Sequence, residues 1–286
     1  MTLDIGGNFR HELTGCFSQG SDSNPTVAMV EASYRVNKMH YRYINCEVNP
    51  DQLQDAVAGA KAMNWKGFHC SIPHKVSVIK YLDQLGESAK VIGAVNCVVN
   101  RNGKLIGENT DGKGFLQSFY EIADPKGKTI VLLGAGGAAR AIAVELALAG
   151  AVKFYIVNRG SQRGIELKEL LNSKTDSTAE FISWNETYVI PSDADVLINS
   201  TSLGMIGEPV DQDIDYSSIG PGLIVADVII NPLNTAFLLK AAARGATTIQ
   251  GIGMVVNQAV IAIQEWSGVD VNPVDLTNEL MKALQI

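Results

Sequence analysis

The stretch TIVLLGAGGAARAIAVELALAG, residues 129–150, decides the fold. An apolar, β-branched run passes directly into Gly134-x-Gly136-x-x-Ala139 and then into an alanine-rich segment closed by Gly150. Strand, glycine turn and helix in that order let the backbone turn tightly and approach a pyrophosphate, whose charge the helix N-terminus receives. The reading is a dinucleotide-binding turn, with Gly134, Gly136, Gly137 and Ala138 against the phosphates. The glycine pattern alone is weak, and its bland alternative is a turn in a nucleotide-free α/β layer. A second strand-like run, KFYIVN at 153–158, follows at the right distance and favours the dinucleotide.

The end of that second run carries the next signal. A site for NAD would place an acid there to take the ribose hydroxyls, whereas this chain has NRGSQRG, residues 158–164. Asn158, Arg159 and Arg163 stand in its place, and the guanidinium fork suits a phosphate. The expected cofactor is NADP. The competing reading is two arginines on a solvated helix face.

Working outward, strand-like runs alternate with helical patterns from end to end, which predicts a mostly parallel α/β architecture. HYRYINCEV and GFHCSI read as strands, with DQLQDAVAGAKAMN as the helix between them. ADPKGK, residues 123–128, is the best boundary signal, a Pro/Gly turn ahead of the most apolar strand. With 286 residues, 46% hydrophobic and 19% charged, the chain is long enough for two domains with cores of their own. A net charge of −7 without a basic cluster argues against nucleic acid as a partner. The N-terminus has no basic region followed by an apolar run, so a soluble cytoplasmic protein without a membrane partner is expected. Four cysteines without a paired framework fit reduced thiols.

A second stretch, KGFHCSIPHKVSVIKYL at 66–82, crowds two histidines, a cysteine, a proline and a lysine into seven positions. His69 and His74 are five apart across a proline, which matches no usual zinc spacing, so no metal site is expected. With a strand period of two, His69 and Ser71 share one face and Cys70 points to the other, into the core. Pro73 then starts the helix that carries Lys75. The corner reads as a strand and a helix meeting at a substrate site.

Taken in order, GFHCSIPHK, GAVNCVV, ENTDGKGF, GAGGAAR, NRGSQR, NSTSLGM and GMVVNQA resemble the shikimate dehydrogenase family over roughly residues 10–280. The resemblance implies an NADP-dependent oxidoreductase of aromatic amino acid biosynthesis that interconverts shikimate and 3-dehydroshikimate. It implies an N-terminal α/β substrate domain and a Rossmann domain, with the active site in the cleft between them. The expected division is 1–112, with 252–286 packing back onto it, and 113–251 for the dinucleotide. By that match Lys75 and Asp111 are the catalytic pair, and Ser71, Asn96 and Gln258 hold ring hydroxyls. Thr201, Ser202 and Gly253 join the cofactor residues. A homodimer is left open.

The physics of the pair is sound. A developing alkoxide needs a proton, and a lysine ammonium offers both proton and charge. An aspartate would orient the ammonium while favouring its charged form, so the transferred proton is assigned to neither group.

Departures from the family pattern bear on the substrate. His69 stands where asparagine is usual and Ile230 where tyrosine is usual. The element that receives the shikimate carboxylate is Ser-x-Ser-Pro, yet counting back from Pro25 gives Asn24 and Asp22. Either Asp22 faces the ring acid and shifts specificity, or the loop, one residue longer than the family's, turns Ser21 and Ser23 to the substrate and Asp22 to solvent, which is the geometry expected here. Quinate, an aminoshikimate or another ring acid, a folate-type scaffold, and a non-catalytic NADP-binding regulatory module stay open as alternatives.

Overall fold

The computed structural model describes residues 9–286, which form two compact units. The first comprises the described residues up to Leu85 with Val95–Glu108 and Ala262–Ala283, and the second Gly86–Ala94, Asn109–Ile261 and the last three residues.

The first unit carries β1 (Glu12–Ser18), α1 (Thr26–Val36), β2 (Tyr41–Glu47), α2 (Leu53–Ala62), β3 (Gly67–Cys70), α3 (His74–Ser77) and β4 (Gln84–Leu85). In the second unit α4 (Glu87–Ile92) follows, and the chain then returns to the first for β5 (Cys97–Arg101) and β6 (Lys104–Glu108). The six strands of the first unit are ordered β2-β1-β3-β5-β6-β4, with β1 parallel to β2 and β3, and β5 antiparallel to β3 and β6. Sterics fix the pairing. A Cβ on Gly15 would stand 2.3 Å from the Ile44 carbonyl, and one on Gly67 would meet the Trp266 ring, whose Nε1 donates to Val98 O at 2.9 Å. Stacked Phe17 and Phe68 fill the centre.

The second unit continues with α5 (Thr110–Tyr120), β7 (Thr129–Leu133), α6 (Gly137–Leu148), β8 (Lys153–Asn158), α7 (Ser161–Lys174), β9 (Thr178–Ser183), β10 (Val196–Asn199), β11 (Ile224–Asp227), α8 (Ala236–Ala243) and β12 (Thr247–Ile249). Its sheet is wholly parallel, ordered β12-β11-β10-β7-β8-β9, the doubly wound dinucleotide topology. Such strands are buried on both faces, which is why TIVLL has no polar alternation. Ile130 and Leu132 join the core on one side of the sheet, Val131 and Leu133 that on the other. Then come α9 (Ile252–Ser267) and α10 (Pro273–Leu284).

The units are drawn differently from the sequence expectation of 1–112 plus 252–286. Residues 86–94, 109–112 and 252–261 cluster with the dinucleotide unit. The causes are contacts remote in sequence. Ile92 is buried in the same core as α6, and the Arg140 guanidinium donates to the Ile92 carbonyl. Lacking a side chain, Gly112 lets α5 approach Ala141 O, and Gly114 lets it approach the backbone of α9, where a Cβ would be 2.6 Å from Gln258 N and Met254 O.

Candidate functional site

In the second unit the apolar strand β7 ends at a turn that only glycine fits. Gly134 has φ +104°, and a Cβ there would lie 2.9 Å from both Ser200 Oγ and Thr201 Cγ2. Gly136 and Gly137 have open space where a Cβ would stand, so the backbone can come close to a ligand at the start of α6. A cavity of about 340 Å³ opens there, lined by Ala135, Gly136, Gly137, Arg140, Arg163, Glu166 and Leu167. Ala138 follows in the first turn of α6, partly exposed.

At the end of β8 the Asn158 side chain donates to Gly160 O at 2.7 Å, shaping the turn into α7. Arg159 and Arg163 are both exposed there, and the Arg159 guanidinium lies 5.6 Å from the centre of the buried Trp184 ring. Two cations and no acid at this strand end fit a dinucleotide carrying an additional phosphate.

The loop after β10 is fixed from below. Asn199 Nδ2 donates to Asp227 Oδ1 at 3.0 Å and to Leu203 O, while its Oδ1 accepts from Thr201 Oγ1 at 2.7 Å. Asp227 also accepts from Thr235 Oγ1 and from Ile229 N. Burial raises the Asp227 carboxyl above its usual range against these donors. The network holds Ser200 and Thr201 beside the glycine turn, with Ser202 next along the loop. Gly253 lies in the first turn of α9, where a Cβ would come 2.4 Å from Ser118 Oγ.

Asp111 belongs to the first turn of α5, whose start Asn109 caps by accepting from Gly112 N. Neighbouring Thr110 donates to Gln258 Oε1 at 3.4 Å. Asp111 and Gln258 therefore lie in the second unit, on α5 and α9.

In the first unit the candidate residues gather at the carboxyl ends of parallel β1, β2 and β3, the edge where open α/β sheets bind ligands. The edge is zipped together by backbone bonds. Gln19 N donates to Ile72 O, Ser71 N to Phe17 O, and Val95 N to Lys75 O at 2.7 Å, while Cys70 N donates to Asn96 O at 2.8 Å. Ser71, Lys75 and Asn96 are thereby neighbours. His74 is fully buried, its Nε2 donating to Val48 O at 2.8 Å, which ties α3 to the end of β2. His69 is 5% exposed, bonded through Nδ1 to Tyr43 Oη at 2.7 Å and edge-on to Trp266. Cys70 is core, with its thiol pushed up by burial.

The turn at residues 20–24 differs from a simple hydroxyl pair. Gly20, at φ +65°, and Ser21 point their N–H groups at Glu47, at 3.1 Å to Oε1 and 2.8 Å to Oε2. The Ser21 N–H and hydroxyl, with the Gly20 N–H, hold the Glu47 carboxyl below its usual range. Ser23 Oγ donates to Gly20 O, Asn24 Oδ1 accepts from Thr26 N, and Asn45 Nδ2 donates to the carbonyls of Ser21 and Asn24. Ser21 is buried, whereas Asp22 and Ser23 are exposed.

Sequence reasoning passed over Glu47 and Asn45 because their partners lie 21 to 27 residues away. It also passed over Trp184 and Arg140. Arg140 had a signal, being the first cation after the glycine turn.

Fold and site together define a two-unit α/β protein with a dinucleotide-binding sheet and a lysine-bearing corner on a second sheet. Residues 23–98 match the family described as "Shikimate dehydrogenase substrate binding domain", and residues 118–206 that described as "Shikimate / quinate 5-dehydrogenase". The chain belongs to the shikimate dehydrogenase family. It is 38% identical over 280 residues to a Desulforamulus reducens protein named shikimate dehydrogenase (NADP(+)), covering 96% of each chain. The crystal structure of ligand-free 5-ketofructose reductase from Gluconobacter sp. strain CHM43 is 50% identical, with TM-score 0.94 over 96% of this chain and 99% of that one. Shikimate 5-dehydrogenase from Listeria monocytogenes, solved with shikimate and NAD, is 30% identical with TM-score 0.89, over 97% and 98%.

Proposed function

We propose that this chain is an NADP-dependent oxidoreductase acting on a CH–OH group of a small polyhydroxylated substrate, with shikimate and 3-dehydroshikimate, or a close ring acid, as the pair its named relatives suggest. The observation that carries the reading is the lysine corner, Ser71 and Lys75 beside Asn96 at the carboxyl ends of parallel strands. Bound NADPH would supply the hydride. Lys75 is the cation that meets the carbonyl oxygen as it gains charge, and Lys75 and Asp111 are the groups through which the proton is exchanged. Ser71, Asn96 and Gln258 orient hydroxyls. Gly134, Gly136, Gly137 and Ala138 carry the pyrophosphate, Asn158, Arg159 and Arg163 the ribose phosphate, and Thr201, Ser202 and Gly253 complete the dinucleotide site.

A second reading is favoured by one specific observation, the 50% identity to a 5-ketofructose reductase. Here the same hydride and proton steps act on a ketone of an uncharged sugar. One experiment separates them: NADPH or NADP+ absorbance followed with shikimate, quinate and 5-ketofructose. Turnover with any of these establishes the oxidoreductase. Lys75→Ala or Asp111→Ala then lowers the chemical rate at least about a hundredfold with little change in NADP+ affinity, the scale for losing positioned acid–base help. Near-normal turnover in either variant would remove that residue from the mechanism.

A further inference from the structure

The turn where a substrate carboxylate is received in the family is already occupied by a carboxylate of the protein. An anion site needs hydrogen-bond donors or cations that are not otherwise spent. In this turn the N–H groups of Gly20 and Ser21 go to the two oxygens of Glu47. Those of Ser23 and Asn24 go to Gly20 O and Ser21 O, the Ser23 hydroxyl goes to Gly20 O, and the Asn24 amide goes to Cys16 Sγ. Asn45 locks the arrangement from below.

Glu47 is not displaced here by accident of the backbone. It is the last residue of β2, in register with Ser18 of β1, so strand pairing delivers its carboxylate to the start of the turn. The left-handed Gly20 and the short 3-10 turn Ser21–Ser23 aim consecutive amides at it. Through the Gln19–Ile72 and His74–Val48 bonds this turn adjoins the corner that carries Lys75.

We propose that Glu47 makes this end of the substrate site select against anions, so that the enzyme takes an uncharged polyhydroxylated ketone or alcohol in preference to a ring carboxylic acid. The inference rests on the reading of the first unit as the substrate's and narrows its substrate class. A substrate carboxylate brought to residues 20–21 would meet the Glu47 carboxylate, on which the Gly20 and Ser21 amides are already spent, whereas a hydroxyl would donate to the Glu47 oxygens. Glu47 is thus a specificity residue, acting on affinity and not on the hydride step.

Charge is isolated by comparing shikimate with its methyl ester, which keeps the ring and removes the anion. Glu47 is exposed, and like charges a few ångströms apart at a solvated turn repel on the scale of about 1 kcal/mol, so in the wild type the ester should be preferred over the acid by roughly five- to tenfold in kcat/KM, the difference lying in KM. Glu47→Gln keeps an acceptor at the turn and removes the charge, so the ester-to-acid ratio should collapse towards one. Raising the salt concentration should narrow the wild-type ratio, because the repulsion is screened. If neither ring compound is turned over, each is tested as an inhibitor of 5-ketofructose reduction, where the ester should again win in the wild type alone. If no nicotinamide change occurs with any compound, the oxidoreductase reading has failed, and calorimetry of the acid and the ester on wild type and Glu47→Gln still decides the charge rule. A wild type that binds the acid as well as the ester, or a Glu47→Gln variant that leaves the ratio unchanged, overturns the inference.

Discussion

Replacing Arg159 and Arg163 by serine together tests the cofactor assignment most directly. Both side chains are exposed, with Arg159 above the Trp184 ring and Arg163 at the cavity wall, so the double variant should fold normally. Hydrogen bonds to a charged partner contribute about 1.5–3 kcal/mol each, and exposure to solvent argues for the low end. Taking about 1.5 kcal/mol per arginine, the pair accounts for about 3 kcal/mol, or roughly a hundredfold in Kd. Glu166, which lines the same cavity, remains in place and adds repulsion once the cations are gone. The assay is a fluorescence or calorimetric titration with NADP+ and NAD+ on wild type and variant at two salt concentrations. The variant should bind NADP+ about a hundredfold more weakly and NAD+ within threefold of wild type, and the wild-type preference for NADP+ should shrink at high salt. Equal weakening of both dinucleotides would mean that the arginines shape the loop without meeting a phosphate, and loss of less than threefold for NADP+ would place the phosphate elsewhere.

Other outcomes follow from the packing. Gly114→Ala places a Cβ 2.6 Å from two backbone atoms of α9 and should cost about 1–3 kcal/mol, read as a lower Tm. Gly136→Ala meets nothing within 4 Å, so it should move Tm by no more than about 2 °C while weakening NADP+ in the same titration. Asp227→Ala strands the Thr235 hydroxyl, the Asn199 amide and Ile229 N, and should cost about 3 kcal/mol, roughly 6–12 °C in Tm by differential scanning calorimetry. Cys16, Cys70 and Cys97 are buried, with the Cys16 thiol pushed up to about 11 by desolvation, so a thiol reagent should titrate only Cys46 in the native protein and all four cysteines after denaturation.

The sequence by itself determined what is contiguous. TIVLL, the glycine turn and the alanine-rich helix are one uninterrupted run, and the burial of a parallel strand on both faces writes itself as continuous apolar residues. The missing acid after KFYIVN, the inward Cys70 and the helix start after Pro73 were readable for the same reason: neighbours in the chain fix them. Only the tertiary structure decided which distant segments share a core. Residues 86–94 lie ahead of the Pro/Gly boundary signal, yet Ile92 and the Arg140 guanidinium bind them to α6. The turn at residues 20–24 is the sharper case. Its letters offer two serines, an aspartate and an asparagine, and no local rule says that the donors beneath them turn to a glutamate 26 or 27 residues on. That choice is made by the register of β1 on β2, because pairing Ser18 with Glu47 is what delivers the carboxylate to the amides of Gly20 and Ser21.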